Sequence, residues 1–391
     1  MTTKAQWRPW DVTDAHELAR LAGLAREQLP IVDIKHDVEW LKELCNRPGK
    51  RVFALTCGAG DALSGIAPFE VYPSHLDFTI GEISLFSKRT AKYVLEIGPV
   101  VASSADEGVL DSCFAALRGS IEPSAVVFLE GVPLEGPMAT LLNNPASDLR
   151  RHFHVVPHGP EYLRCRIDWD GTVDAYLASL SKRTGKDLAK IWRKFKEEYE
   201  GRHELRRFDT VDGVGEFLKE AIPVSDKTYQ KNLLGLGLEI GGDLQDEMTS
   251  AARKGYFVGY VLYVDGEAIA FDYGYIYGDC FYLLTKGYDP AWATKKIGMV
   301  LGMELLQDVE DQKYSVRVLD HMYGGDVYKE RTSNNKTPER HYYLIPRSVS
   351  GAVLAKSMIA TDRFSRWLGD TLAKYGLKDR IKRLIRRHSV S

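Results

Sequence analysis

Residues 256–288 read YFVGYVLYVDGEAIAFDYGYIYGDCFYLLTKGY, and two turn signals, Asp265-Gly266 and Gly278-Asp279, divide them into three runs rich in β-branched and aromatic residues. Two-residue turns of this type need backbone conformations that Gly and Asp tolerate, and they join neighbouring antiparallel strands. The spacing predicts a meander over 256–264, 268–276 and 280–288. A helix is predicted from about 295 to 309 and a short strand over 315–319. A helix and then a strand after an antiparallel meander demand a crossover, so the fold class is α+β with a mostly antiparallel mixed sheet, not a doubly wound parallel one.

The first half repeats this order. Strands are predicted over 52–57 and 63–71 around Gly58-Ala59-Gly60-Asp61, with extended runs at 80–86 and 93–101, a helix over 106–118 and a buried-type strand over 125–129. An offset of about 190 residues superposes the helix and last strand of the two halves. Two tandem domains are therefore expected, over 1–160 and 161–350, with a helical basic extension over 351–391.

A chain of 391 residues is long enough for two cores, and its formal charge of -2 provides no global field for nucleic acid or membrane. The five cysteines are widely spaced with no CxxC pair, which predicts reduced thiols and no bound metal. No stretch has the ~18 apolar residues of a spanning helix. A cytoplasmic protein, soluble or at most peripheral, is expected, and a monomer.

Between the halves, Leu188, Ile191, Trp192, Phe195 and Tyr199 form one apolar stripe of a helix, with Lys186, Lys190, Arg193 and Lys194 on the other side. A strand over 205–208 and a helix over 211–224, ending near Pro223, follow. One more strand is expected at 342–345 and a helix from near Val353. The end of the chain spaces Leu377, Ile381, Leu384 and Ile385 on one face among Arg380, Lys382, Arg383, Arg386 and Arg387. Such a helix docks on its own protein or contacts anionic lipid.

Three segments carry a resemblance: the basic run from Ser181-Lys182-Arg183 to Lys194, the meander from Gly259 to Tyr288, and DHMYGGDVYK from Asp320 to Lys329. With them the chain resembles the GNAT superfamily of acyltransferases, in the group that pairs two GNAT-like domains and includes proteins of polysaccharide and cell-wall synthesis. It is more distantly similar to Fem-type aminoacyl transferases. The resemblance covers about 162–347 well and the first half through element order alone. The family's donor turn, Q/R-x-x-G-x-G/A, is matched by Lys295-Lys296-Ile297-Gly298-Met299-Val300, with valine where a small residue is expected.

The resemblance implies an N-acyltransferase that moves an acyl, expected to be acetyl, group from acyl-coenzyme A to an amine of a sugar, a polysaccharide precursor or an amino-acid-like acceptor. The pyrophosphate of the donor needs a helix start with free N–H groups, which Lys295, Lys296, Ile297 and Gly298 would supply. Its pantetheine amides need a strand edge, at Leu283, Leu284 and Thr285. Amine acylation needs a base, an oxyanion donor and an acid for the thiolate. Asp272, Asp320, Tyr328 and Lys329 are the candidates, with Lys227, Tyr229, Gln230 and Asp326 toward the acceptor.

Each has a plainer alternative: a solvated helix start for the lysine pair, a wet strand face for Asp272, a structural aspartate for Asp320, an exposed helix start for Lys227 to Gln230. Glu130 holds the post-strand place of the first half without a following Tyr-Lys pair, so the first copy is expected to be non-catalytic. Two rival functions stay open. One is a Fem-type peptide-bond-forming transfer from aminoacyl-tRNA, the only nucleic acid in view, using the basic helix. The other is an inactive tandem scaffold.

Overall fold

The computed structural model describes residues 6–31, 33–80, 83–103, 107–228, 237–324 and 327–374. The chain divides into two compact units, residues 1–161 with 339–391 and residues 162–338. Residues 339–391 group with the first unit, whereas the sequence ran the second domain to 350. The reason lies in β13, Asn335–Pro346, which pairs antiparallel with β6, Val126–Pro133, from Glu339↔Pro133 to Leu344↔Val127.

In the first unit, β1 (Trp7–Trp10), β2 (Arg51–Ala59), β3 (Ala62–Ile80) and β4 (Ile83–Glu96) pair antiparallel in sequence order, and β4 then pairs parallel with β6. The extended run expected over 80–86 falls on this β3–β4 pair, with Ile80 opposite Ile83 and Phe78 opposite Phe86, and its residues 81 and 82 lie outside the described residues. Strand alternation sorts the core. Val52 and Ala54 of β2 pack with α1 (Ala15–Gln28) and α2 (Val38–Leu44), while Leu55 and Cys57 pack with Phe114 and Leu117 of α3 (Glu107–Ser120). Beyond β5 (Val100–Val101), α4 (Pro137–Asn143) and α5 (Asp148–His152) lead to β7 (Phe153–Asp168).

The second unit realises the predicted meander. β8 (His203–Phe208), β9 (Phe257–Val264), β10 (Glu267–Tyr277) and β11 (Cys280–Tyr288) pair antiparallel, β11 pairs parallel with β12 (Val318–Asp320), and β12 pairs antiparallel with Arg166–Asp168. Asp265 and Gly266 both have positive φ, 52° and 81°, as the turn requires. Every residue of β9 is buried, because helices cover both its faces. Tyr260 and Leu262 lie among α6 (Val173–Ser179), α7 (Lys182–Glu198) and α10 (Ile297–Asp311). Phe257 meets Phe217 of α8 (Val211–Lys227), which runs through Pro223 instead of ending there. α9 is Gly242–Arg253 and α11 is Val327–Thr332.

Candidate active site

The parallel ladder between β11 and β12 consists of Cys280↔Val318, Phe281↔Leu319 and Tyr282↔Asp320, and it ends there. From Leu283 onward β11 is paired only on its β10 side. The β10–β11 register also slips between Tyr273↔Thr285 and Gly274↔Leu283, so Leu284 is an extra, bulged residue. Glycine is required opposite it, because a Cβ on Gly274 would lie 1.9 Å from the Tyr282 carbonyl oxygen. Among the described residues, Leu283, Leu284 and Thr285 have no strand partner on the β12 side.

Past the bulge, Lys286 of β11 faces Asp272 of β10 directly, and Nζ lies 3.2 Å from Oδ2. The Lys286 ammonium also donates to the Tyr328 hydroxyl oxygen at 2.7 Å. Tyr328 is held there by α11: Thr332 donates to the Tyr328 carbonyl, Tyr176 donates to the Thr332 carbonyl, and Arg331 pairs with Asp187 at 2.7 Å. Asp272, Lys286, Tyr328 and His321 line one cavity with Leu283 and Met303.

Burial raises the Asp272 carboxyl above its ordinary value, with Lys286 acting against it. Burial also opposes charge on Lys286, but Tyr328 and Asp272 outweigh it and hold the ammonium above its usual range. His321 is 6% exposed, its Nε2 has no hydrogen-bond partner among the described residues, and burial, Lys286 and Lys329 lower its pKa to about 3. The imidazole is therefore neutral throughout the physiological range.

Asp320, expected as a catalytic acid or base, is otherwise engaged. Its Oδ2 accepts from Nε of both Arg164 and Arg166 at 2.8 Å, and its Oδ1 accepts from the Met322 amide. Met322 sits at φ 58°, a left-handed conformation that costs roughly 1–2 kcal/mol in a non-glycine residue. Asp320 thus anchors the turn that presents His321. Lys329 does the same from the other side, donating to the carbonyls of His321 at 2.7 Å and Tyr323 at 3.2 Å.

At the start of α10, Lys296 is the N-cap at φ 56° with no side-chain cap. Lys296 and Gly298 are exposed or half-buried, Lys295 is tied to Glu198, and the Ile297 side chain is in the core. Only its backbone can serve a ligand. Lys227 pairs with Asp289 at 2.6 Å, at the head of the turn leading to α10. Tyr229, Gln230 and Asp326 lie outside the described residues. Sequence reasoning passed over Lys286 and His321 as site residues; the DHMYGGDVYK run contained the histidine, but nothing local marked its burial.

The first unit closes the corresponding place. β4 and β6 stay paired through Leu95↔Leu129 to Glu96↔Glu130, the end of β4. Lys35 lies between those carboxylates, 3.1 Å from Glu96 and 2.9 Å from Glu130.

Residues 181–330 match the family model of the acetyltransferase (GNAT) domain. No curated protein matches the chain. Among solved structures, FemX superposes with a TM-score of 0.58 at 9% identity, over 87% of this chain and 97% of that one. A conserved protein of unknown function from Bacteroides thetaiotaomicron gives 0.52 at 15% identity, over 84% and 97%. A tandem GNAT protein from the clavulanic acid biosynthesis pathway gives 0.46 at 13% identity, over 88% and 100%. At these identities the likeness is one of fold, and the family match lies within the second unit.

Proposed function

We propose that the second unit transfers an acyl group from acyl-coenzyme A to a primary amine, with Lys286, Tyr328 and His321 as its catalytic residues. The observation that carries this proposal is the coincidence of three features: a β11 edge left open from Leu283, the uncapped start of α10, and a half-buried ammonium and phenol beside a buried, neutral imidazole in one cavity. The open edge fits the pantetheine amides and the helix start fits the pyrophosphate. Neither fits a neutral, compact donor.

The amine nitrogen attacks the thioester carbonyl, the C–N bond forms and the C–S bond breaks. The unpartnered Nε2 of neutral His321 accepts a hydrogen bond from the attacking amine and orients it, and the proton that the amine gives up is relayed through the Tyr328 hydroxyl to the departing sulfur. The Lys286 ammonium, held cationic by Tyr328 and Asp272, favours the negative charge that develops on oxygen, and Tyr328 supplies the proton that the departing sulfur takes up. Asp320 and Lys329 act as positioning residues for His321.

The acceptor class carried by the family resemblance is a sugar, polysaccharide-precursor or amino-acid-like amine. A second donor, aminoacyl-tRNA, is favoured by one observation, the cationic face of α7 with Lys182, Lys186 and Lys190, and by the FemX fold. Calorimetric and thermal-shift titration with coenzyme A decides between them. Saturable stabilisation supports the acyl-coenzyme A donor, and none, with turnover only from charged tRNA, supports the other.

A further inference from the structure

Helix α12, Val349–Lys374, is apolar on two opposite faces. Leu354, Ala355, Met358 and Ile359 pack on Leu76, Phe78, Val156 and Tyr343 of the first unit. That face explains why the helix is where it is. Val349, Val353, Phe364 and Trp367 are instead 87%, 62%, 47% and 60% exposed. At ~100° per residue these four fall within a sector of about 60°, on the side away from the packed face. Phe364 and Trp367 stack on each other, 5.6 Å between ring centres, so the aromatic end of the stripe is one contiguous surface.

Scattered exposed apolar residues need no explanation, but a stripe of four with two large aromatics does. Charge identifies what covers it. Lys356 and Arg363 are exposed on α12 itself, and the sequence that follows, 375–391, has six Lys or Arg against one Asp in a chain of net charge -2. Aromatic and aliphatic side chains edged by cations suit the boundary layer of an anionic bilayer, where the rings enter the headgroup region and the cations meet phosphate. A second copy of the chain would set like charges against each other. No helix among the described residues is long and apolar enough to span a membrane, so such contact would be peripheral.

We infer that Val349, Val353, Phe364 and Trp367 form a docking surface for an anionic lipid bilayer. The test is co-sedimentation of the full chain with phosphatidylglycerol-containing vesicles and with pure phosphatidylcholine vesicles. A Phe364→Ser/Trp367→Ser variant runs in parallel, with its melting temperature and coenzyme A binding checked as controls. The expected result is binding to the anionic vesicles, weakened by salt, with a blue shift of tryptophan emission, and binding roughly tenfold or more weaker in the folded variant. Binding to neither vesicle, or equal binding by the variant, overturns the inference. So does a dimer in sedimentation velocity that the variant abolishes while vesicles are ignored, which would give the stripe to a second copy.

Discussion

Asp272 and Lys286 are cross-strand partners whose side chains meet at 3.2 Å on the apolar floor of the second unit. A carboxylate and an ammonium placed there are costly unless each has the other, and the pair fixes the charge state of the cavity. Lys286→Met is expected to lower kcat by ~10²–10³-fold, the scale of losing one oxyanion donor, while coenzyme A affinity changes little. Steady-state kinetics beside calorimetry check it. Asp272→Asn removes one of the two groups, Tyr328 being the other, that hold Lys286 cationic, so the basic limb of the pH–rate profile is expected to move to lower pH.

His321 gives a stability signature of its own. Its folded pKa, about 3, lies below the ordinary value of 6.5, so the unfolded chain binds the proton more readily. Its contribution is complete above pH 6.5 and is lost as pH falls from there toward 3. His321→Gln is expected to flatten the fall in melting temperature over that window. It is also expected to reduce kcat by ~10²-fold or more at neutral pH.

Asp320 and Tyr328 separate support from chemistry. Asp320→Asn leaves buried Arg164 under-compensated and is expected to cost about 3–5 kcal/mol, read by urea denaturation. Tyr328→Phe keeps the ring and is expected to change stability by less than ~1 kcal/mol while turnover falls sharply. Equal destabilisation by the two would make Tyr328 a packing residue.

Gly302 gives a finer test of geometry. A Cβ there would lie 2.8 Å from the Tyr328 hydroxyl, at the end of a side chain and away from backbone. Gly302→Ala should gain up to ~1 kcal/mol of helix propensity and lose turnover, because the phenol is pushed off Lys286. A variant that is more stable but slower is the expected outcome.

Much of the second unit was legible in the sequence because its turns are chemically marked: Asp265-Gly266 and Gly278-Asp279 fix where three strands begin and end. The helix expected over 295–309 is realised as Ile297–Asp311, and of the strand expected over 315–319 only the end pairs, as Val318–Asp320. The pairing of Asp320 with Arg164 and Arg166 was not legible, since about 155 residues separate the partners and nothing local signals them. Lys286 escaped for another reason. Its alignment with Asp272 depends on the bulge at Leu284, and a one-residue slip reverses every side chain of a strand. The grouping of residues 339–391 with the first unit depends on the β6–β13 ladder, which no sequence pattern marks.

One donor site per chain is predicted, at the open β11 edge, and none in the first unit, where β4 and β6 stay paired through Glu96↔Glu130 and Lys35 lies between the two carboxylates. Isothermal titration calorimetry with coenzyme A tests it most directly. The predicted result is saturable binding with a stoichiometry of one, unchanged by Lys35→Ala. Absence of binding, or two sites per chain, would contradict it.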